Sequence, residues 1–204
     1  MEMNQETIYS IILMGLMIVG ILLTFLIGKP TTNPTKLHKR VYNILNNYAR
    51  PRHFRVLNNV AVETKDGTQT VDHVMVGYFG VLFVNDLLLH GDYYGELTDS
   101  QWICSKTDKQ SDTTTRIGSV ANPLLSARAC MEATVDTLAR HGVYNMPMEA
   151  VAVKAHKKGQ FVITGSKDCV FNLRSLRGFL QYNFFLKDTG LDVDKICAIL
   201  EGKA

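Results

Sequence analysis

Residues 8–27 (IYSIILMGLMIVGILLTFLI) form an uncharged apolar run within a chain of 204 residues. Its length matches the ~20 residues that an α-helix needs to cross ~30 Å of hydrocarbon. A cleaved secretory signal would need a basic leader, a shorter apolar core and a small-residue cleavage site. Here the leader carries Glu2 and Glu6 without Lys or Arg, and the run ends in Leu26, Ile27, Gly28 and Lys29. The expectation is one retained transmembrane helix within an anchor at 1–28. Lys29, Lys36, Lys39, Arg40, Arg50, Arg52 and Arg55 follow the run, and no basic residue precedes it. By the positive-inside rule the N-terminus lies outside and the C-terminal domain in the cytoplasm. Gly15 and Gly20 are five apart, which is not the small-xxx-small spacing that drives span dimerisation.

A cytoplasmic setting makes Cys104, Cys130, Cys169 and Cys197 reduced and mostly buried. They are far apart in sequence, with no CxxC pair and no His at zinc-ligand spacing, so no metal site is expected from local motifs. Hydrophobic residues make up 46% and charged residues 20%, which excludes a disordered or collagen-like chain. The formal charge is +3, and setting aside 1–28 with its two Glu raises it to +5 on the remainder. That is small beside dedicated nucleic-acid binders.

Residues 29–35 (KPTTNPT) cannot continue a helix and read as a spacer, leaving 36–204 as one domain. Thr35 is the expected cap of a helix with Leu37, Val41, Ile44, Leu45 and Tyr48 at helical spacing, limited by Pro51. Extended runs at 54–64 and 68–76 flank Lys65, Asp66 and Gly67, a hairpin signal. A continuously apolar strand at 81–84 should be central. Short strands are expected at Tyr93 and Tyr94 and at 102–104, then an exposed loop over 106–118. Asn122 and Pro123 open a helix with the stripe Leu124, Ala127, Met131, Val135 and Leu138, ended by Gly142. Strands at 150–153 and 161–164 and helices at 173–185 and 191–200 complete an α/β chain, a mixed sheet flanked by helices.

The Rossmann fingerprint, the Walker A loop, HExxH, the EF-hand loop and the GxSxG elbow are all missing. TGSK at 164–167 reads as a turn rather than a phosphate loop. What remains is an ordered series: TVDHVMVG at 70–77, GVLFVNDL at 80–87, GDYYG at 91–95, Trp102, and NPLL at 122–125. With the helix before it, this series resembles the NERD (nuclease-related) domain, a branch of the restriction-endonuclease-like superfamily. That family shows a Q-[IV]-D-H strand, a G-[IV]-hhh-E-x-K strand, an aromatic and glycine stretch, a Trp and an N-P-[LI]-x-Q helix. The resemblance spans about residues 36–155 and implies a restriction-endonuclease-like fold.

It also implies a metal-dependent phosphodiester site in which carboxylates on adjacent strands hold Mg²⁺ and a Lys assists. The metal-binding Asp maps onto Asp72, the Glu of E-x-K onto Asn85 and its Lys onto Leu87. The acidic residue of the first helix falls near Leu37 and His38, and the Gln of the later helix becomes Ser126. Asp86, the strand neighbour of Asn85, should face the other way. The expected function is therefore a single-pass membrane protein whose domain is catalytically inactive, with Asp72 a retained vestige, and which binds nucleic acid or a protein. No cofactor or metal is expected. Lys36, Lys39, Arg40, Arg50, Arg52 and Arg55 are the candidate contacts for nucleic acid or anionic lipid. Two alternatives stay open. One is an active Mg²⁺-dependent nuclease with ligands relocated to Glu63 or Asp92 and a replacement Lys65. The other is an anchored protein-interaction module with no nucleic-acid role, using Tyr93, Tyr94 and Trp102.

Overall fold

The computed structural model describes residues 14, 15, 17, 33–108, 113–157, 159–165 and 168–203. The chain divides into two compact units, 1–32 and 33–204. In the first, Met14, Gly15 and Met17 are helical, and the rest of the expected span at 8–27 lies outside the described residues. Among the described residues no helix is long and apolar enough to cross a membrane.

The second unit opens with α1 (Pro34–Ala49), which takes in Pro34 and Thr35 of the expected spacer. Its cap is Asn33 rather than Thr35: the Asn33 side chain accepts from the Lys36 N–H, and Pro34 fills a first-turn position where no N–H is needed. Leu37, Val41, Ile44, Leu45 and Tyr48 are all buried, as their spacing requires. After a 3₁₀ turn at Arg50–Arg52 come β1 (Arg55–Thr64), β2 (Gly67–Gly77) and β3 (Gly80–Leu87). The β1–β2 hairpin closes with Thr64 opposite Gly67, where the Asp-Gly signal places it. The β2–β3 turn needs Gly80: its φ is +130°, and a Cβ there would strike the Pro147 carbonyl, which accepts from the Val81 N–H at 3.0 Å.

Then follow β4 (Asp92–Glu96), β5 (Gln101–Asp108), β6 (Thr113–Ala121), α2 (Pro123–Arg140), β7 (Met148–Lys154), β8 (Phe161–Thr164) and β9 (Val170–Asn172). The described part ends with α3 (Leu173–Phe179), a 3₁₀ turn at Asn183–Leu186, and α4 (Val193–Leu200). The strands make two mixed sheets, not one: β1-β2-β3-β7-β9 and β6-β5-β4-β8. In the first, β3 is central, antiparallel to β2 and parallel to β7, as its unbroken apolar run implies.

Several expectations are corrected. Of the stretch 106–118, residues 106–108 and 113–118 belong to the β5–β6 ribbon, with Lys106 opposite Thr115 and Thr107 opposite Thr114, and 109–112 lie outside the described residues. A ribbon exposed on both faces needs no apolar alternation, so its β-branched Thr residues carried the only signal. The buried stripe of α2 runs through Cys130 and Thr134, and Val135 is exposed. The helix expected over 173–185 stops at Phe179 and resumes as the 3₁₀ turn, and β9, at three residues, is too short to show a period. Of the TGSK turn, Ser166 and Lys167 lie outside the described residues.

Apolar side chains fill both faces of the first sheet. Leu37, Val41, Leu45, Met75, Leu82, Val84 and Val153 pack under α1 and α3. Val74, Val76, Val81, Phe83, Ala127, Cys130 and Ile196 pack under α2 and α4. A third cluster, with Leu87, Tyr93, Trp102, Leu124, Ala152 and Ile163, joins the first sheet to the second.

Candidate functional site

The polar centre of this core lies where β2 and β3 part. Their paired register runs from Gly77 opposite Gly80 to His73 opposite Val84. Beyond it, side chains make the next step of the ladder. The Asp72 N–H donates to Asn85 Oδ1 (3.0 Å), and the Asp86 N–H donates to Asp72 Oδ2 (2.6 Å). Asn85 also donates from Nδ2 to the Pro123 carbonyl at the start of α2 (3.1 Å). The amide of Asn85 thus ties two strands to a helix, using both its donor and its acceptor. Burial pushes the Asp72 carboxyl pKa above its ordinary value, while the Asp86 N–H pulls it back.

Leu87 lies two residues beyond Asn85 and therefore on the same face. It is buried against Tyr93, Trp102 and Leu124. The residue beside it on β7 is Lys154, itself buried. Its ammonium donates to the Gly159 carbonyl and lies 5.4 Å from the centroid of the Phe161 ring, and burial holds its pKa below the usual lysine value.

Asp86 faces away from Asn85, as strand alternation requires. On that side His38 from α1 and His73 from β2 converge on one carboxylate oxygen: His38 Nδ1 is 2.8 Å and His73 Nε2 3.1 Å from Asp86 Oδ2. The His73 and Asp86 side chains are fully buried, and that of His38 is 24% exposed. The imidazole centroids are 4.3 Å apart. His73 Nδ1 meets Asn58 Oδ1 at 2.6 Å, and Asp86 Oδ1 is buried without a hydrogen-bond partner. The hydrogen bond to Asp86 raises the His38 pKa against the opposing effect of partial burial. Three elements supply this cluster, so no local spacing could have announced it. The only signals were Asp86's alternation and the His that follows Asp72.

The other candidates do not gather round Asp72. Glu63 accepts from Thr68 at the hairpin end (2.6 Å), and Asp72 lies four residues further along β2, roughly 13 Å of strand. Lys65 is exposed in the hairpin turn, and Asp92 accepts from the Gln160 N–H (2.6 Å). The six basic candidates fall into two groups. Lys36, Lys39 and Arg40 sit on the first turns of α1. Arg50, Arg52 and Arg55 lie past its end, with Lys36 and Arg50 ~21 Å apart along the axis. Arg52 covers the Tyr48 ring at 3.9 Å, and Arg55 pairs with Asp194 at 3.2 Å. Lys36, Lys39 and Arg50 are exposed. Tyr93 and Trp102 are core residues, their polar atoms donating to the carbonyls of Leu89 and Glu96 (both 2.8 Å).

The nuclease-related domain family model matches residues 35–155, more than half of the chain. No curated protein and no solved structure matches it. The Mg²⁺ that such a domain implies can be tested against the residues at its position. Asp72, Asn85 and Leu87 do not fit it. One carboxylate oxygen is already bonded to a backbone N–H, the amide is neutral and engaged at both ends, and the third side chain is hydrocarbon. A hard divalent cation needs several anionic oxygens.

Proposed function

The chain belongs to the nuclease-related domain family, and on that premise we propose that it is a non-cleaving member, held at a membrane by residues 8–27 and acting by binding. The observation that carries this reading is the side-chain step between β2 and β3. Asp72 Oδ2 accepts from the Asp86 N–H, and the Asn85 amide bridges the Asp72 N–H and the Pro123 carbonyl, so the catalytic position serves to hold strands and helix together. Leu87 and the engaged ammonium of Lys154 leave no free amine beside Asp72 on the elements that build the site. The preferred partner is nucleic acid, contacted through phosphate by Lys36, Lys39 and Arg40 on one end of α1 and Arg50 at the other; Arg52 and Arg55 are already paired within the domain. The anchor reading rests on the uncharged run and on the basic residues after it.

The test uses the full chain in mild detergent with end-labelled DNA and RNA. With Mg²⁺ or Mn²⁺ the strands should stay intact, and at low salt they should be retarded, with affinity falling as salt rises. Cleavage that Asp72→Ala abolishes would overturn the non-cleaving reading. Absence of retardation at low salt would remove nucleic acid as the partner. Extraction of the full chain from membranes by alkaline carbonate would remove the anchor.

A further inference from the structure

We propose that His38, His73 and Asp86 form a binding site for a divalent transition metal of the zinc class, on the opposite face of the β2–β3 ladder from the family's catalytic position. The reading goes beyond the proposed loss of cleavage and does not depend on it.

Asn58 Oδ1 is an acceptor, so the 2.6 Å contact from His73 Nδ1 needs the proton on Nδ1. In the neutral ring Nε2 is then a bare lone pair, facing Asp86 Oδ2 at 3.1 Å inside the protein. Two acceptors face each other there unless a second ring proton or a metal cation lies between them. His38 Nδ1 points at the same oxygen, and the ligand atoms of all three residues lie within 4.8 Å of one another. The second oxygen, Asp86 Oδ1, is buried with no partner, an orphaned acceptor beside the same space.

The donor set then selects the ion. Two imidazoles and one carboxylate suit Zn²⁺, Fe²⁺ or Co²⁺, whereas Mg²⁺ and Ca²⁺ prefer oxygen throughout. Bonds of ~2.0–2.1 Å in tetrahedral array separate ligand atoms by about 3.3 Å, so the observed 2.8 and 3.1 Å would open by a few tenths of an ångström while the two ring nitrogens, within 4.8 Å of each other, would settle at the same spacing. The surroundings match those of ligating histidines. Metal-bound imidazoles usually donate their other N–H to a carbonyl or carboxylate, and Asn58 receives that of His73. The partly exposed edge of His38 gives the cluster a route to solvent. An ion held there would fasten α1 to the sheet.

Were the Asn58 amide turned round, a proton on His73 Nε2 would fill the gap and no metal would be needed; the experiment separates the two arrangements. The full chain, stripped with a chelator in mild detergent, is titrated with Co²⁺ and followed by visible absorption. Expected are ligand-field bands saturating at one equivalent, bleached by Zn²⁺, indifferent to millimolar Mg²⁺, and weakened at least about 100-fold in affinity by His38→Ala. Since His38 is partly exposed on a helix and Ala favours helix, that variant should fold; Asp86→Asn is the second arm. Absent bands, affinity unchanged in His38→Ala, or a thiolate-to-cobalt charge-transfer band would each overturn the proposal.

Discussion

Across one pair of strands, two faces one residue apart carry opposite chemistry. On the α2 side, where a nuclease-related domain keeps its charges, the three motif positions hold one carboxylate, Asp72, a neutral tie, Asn85, and a core residue, Leu87. On the α1 side, where the motif supplies only the His that follows Asp72 and the first-helix position near His38, a buried carboxylate and two imidazoles meet within hydrogen-bonding distance. The teaching is that a β-ladder separates chemistries by residue parity alone. Losing charge at 85 and 87 leaves 73 and 86 untouched, because successive side chains never share a face.

The sharpest way to break this contrast is to put the amine back. Leu87→Lys should cost about 4 kcal/mol, because an ammonium would be buried in a cluster with Tyr93, Trp102 and Leu124. Urea unfolding followed by the fluorescence of Trp102, the single tryptophan, reports it directly. A loss below about 1 kcal/mol would mean that position 87 still opens onto a polar site. Next comes Asp86→Ala in the presence of chelator. It strands two imidazoles in a largely dry interior and should cost about 2–3 kcal/mol by the same assay.

The smallest effect belongs to Lys154→Met. Replacing a buried ammonium by a side chain of similar size should change stability by about 1 kcal/mol or less near neutrality. Its pH dependence carries the information. Burial lowers the folded-state pKa, so the folded chain binds fewer protons than the unfolded one between the two pKa values. The penalty borne by the wild type is complete below the folded pKa and fades as pH rises toward the unfolded value near 10.4. Any advantage of the variant should shrink across that alkaline window. A difference flat with pH up to 10.5 would show that Lys154 titrates normally.

Much of the fold was legible because single elements carried complete signals. The α1 stripe, the Asp-Gly hairpin, the Asn122 cap with Pro123 and the unbroken strand at β3 each combine periodicity with punctuation. Three strands of the second sheet, β4, β5 and β8, were expected in place, but their pairing into a separate sheet was not legible. The outer part of its β5–β6 ribbon, Lys106 and Thr107 with 113–116, is polar and largely exposed, and β4 pairs with β8 some 70 residues later in the chain, a partnership that no local pattern encodes. At the site, position 72 and the substitutions at 85 and 87 could be read from the motif. The alternation of Asp86 was also readable. That α1 would set His38 against Asp86 required the packing of a helix on a sheet, and Asn58 beside His73 required the β1–β2 register.

Mn²⁺ binding to the full chain, followed by electron paramagnetic resonance in wild type and Asp72→Asn, tests most directly whether metal chemistry has left the Asp72 face. The amide oxygen of the variant can still accept from the Asp86 N–H, so the ladder step is kept while the charge is removed. The two proteins should give superimposable binding curves. A Mn²⁺ site present in the wild type, lost in Asp72→Asn and retained in His38→Ala would mean that Asp72 still holds the cation of a working nuclease.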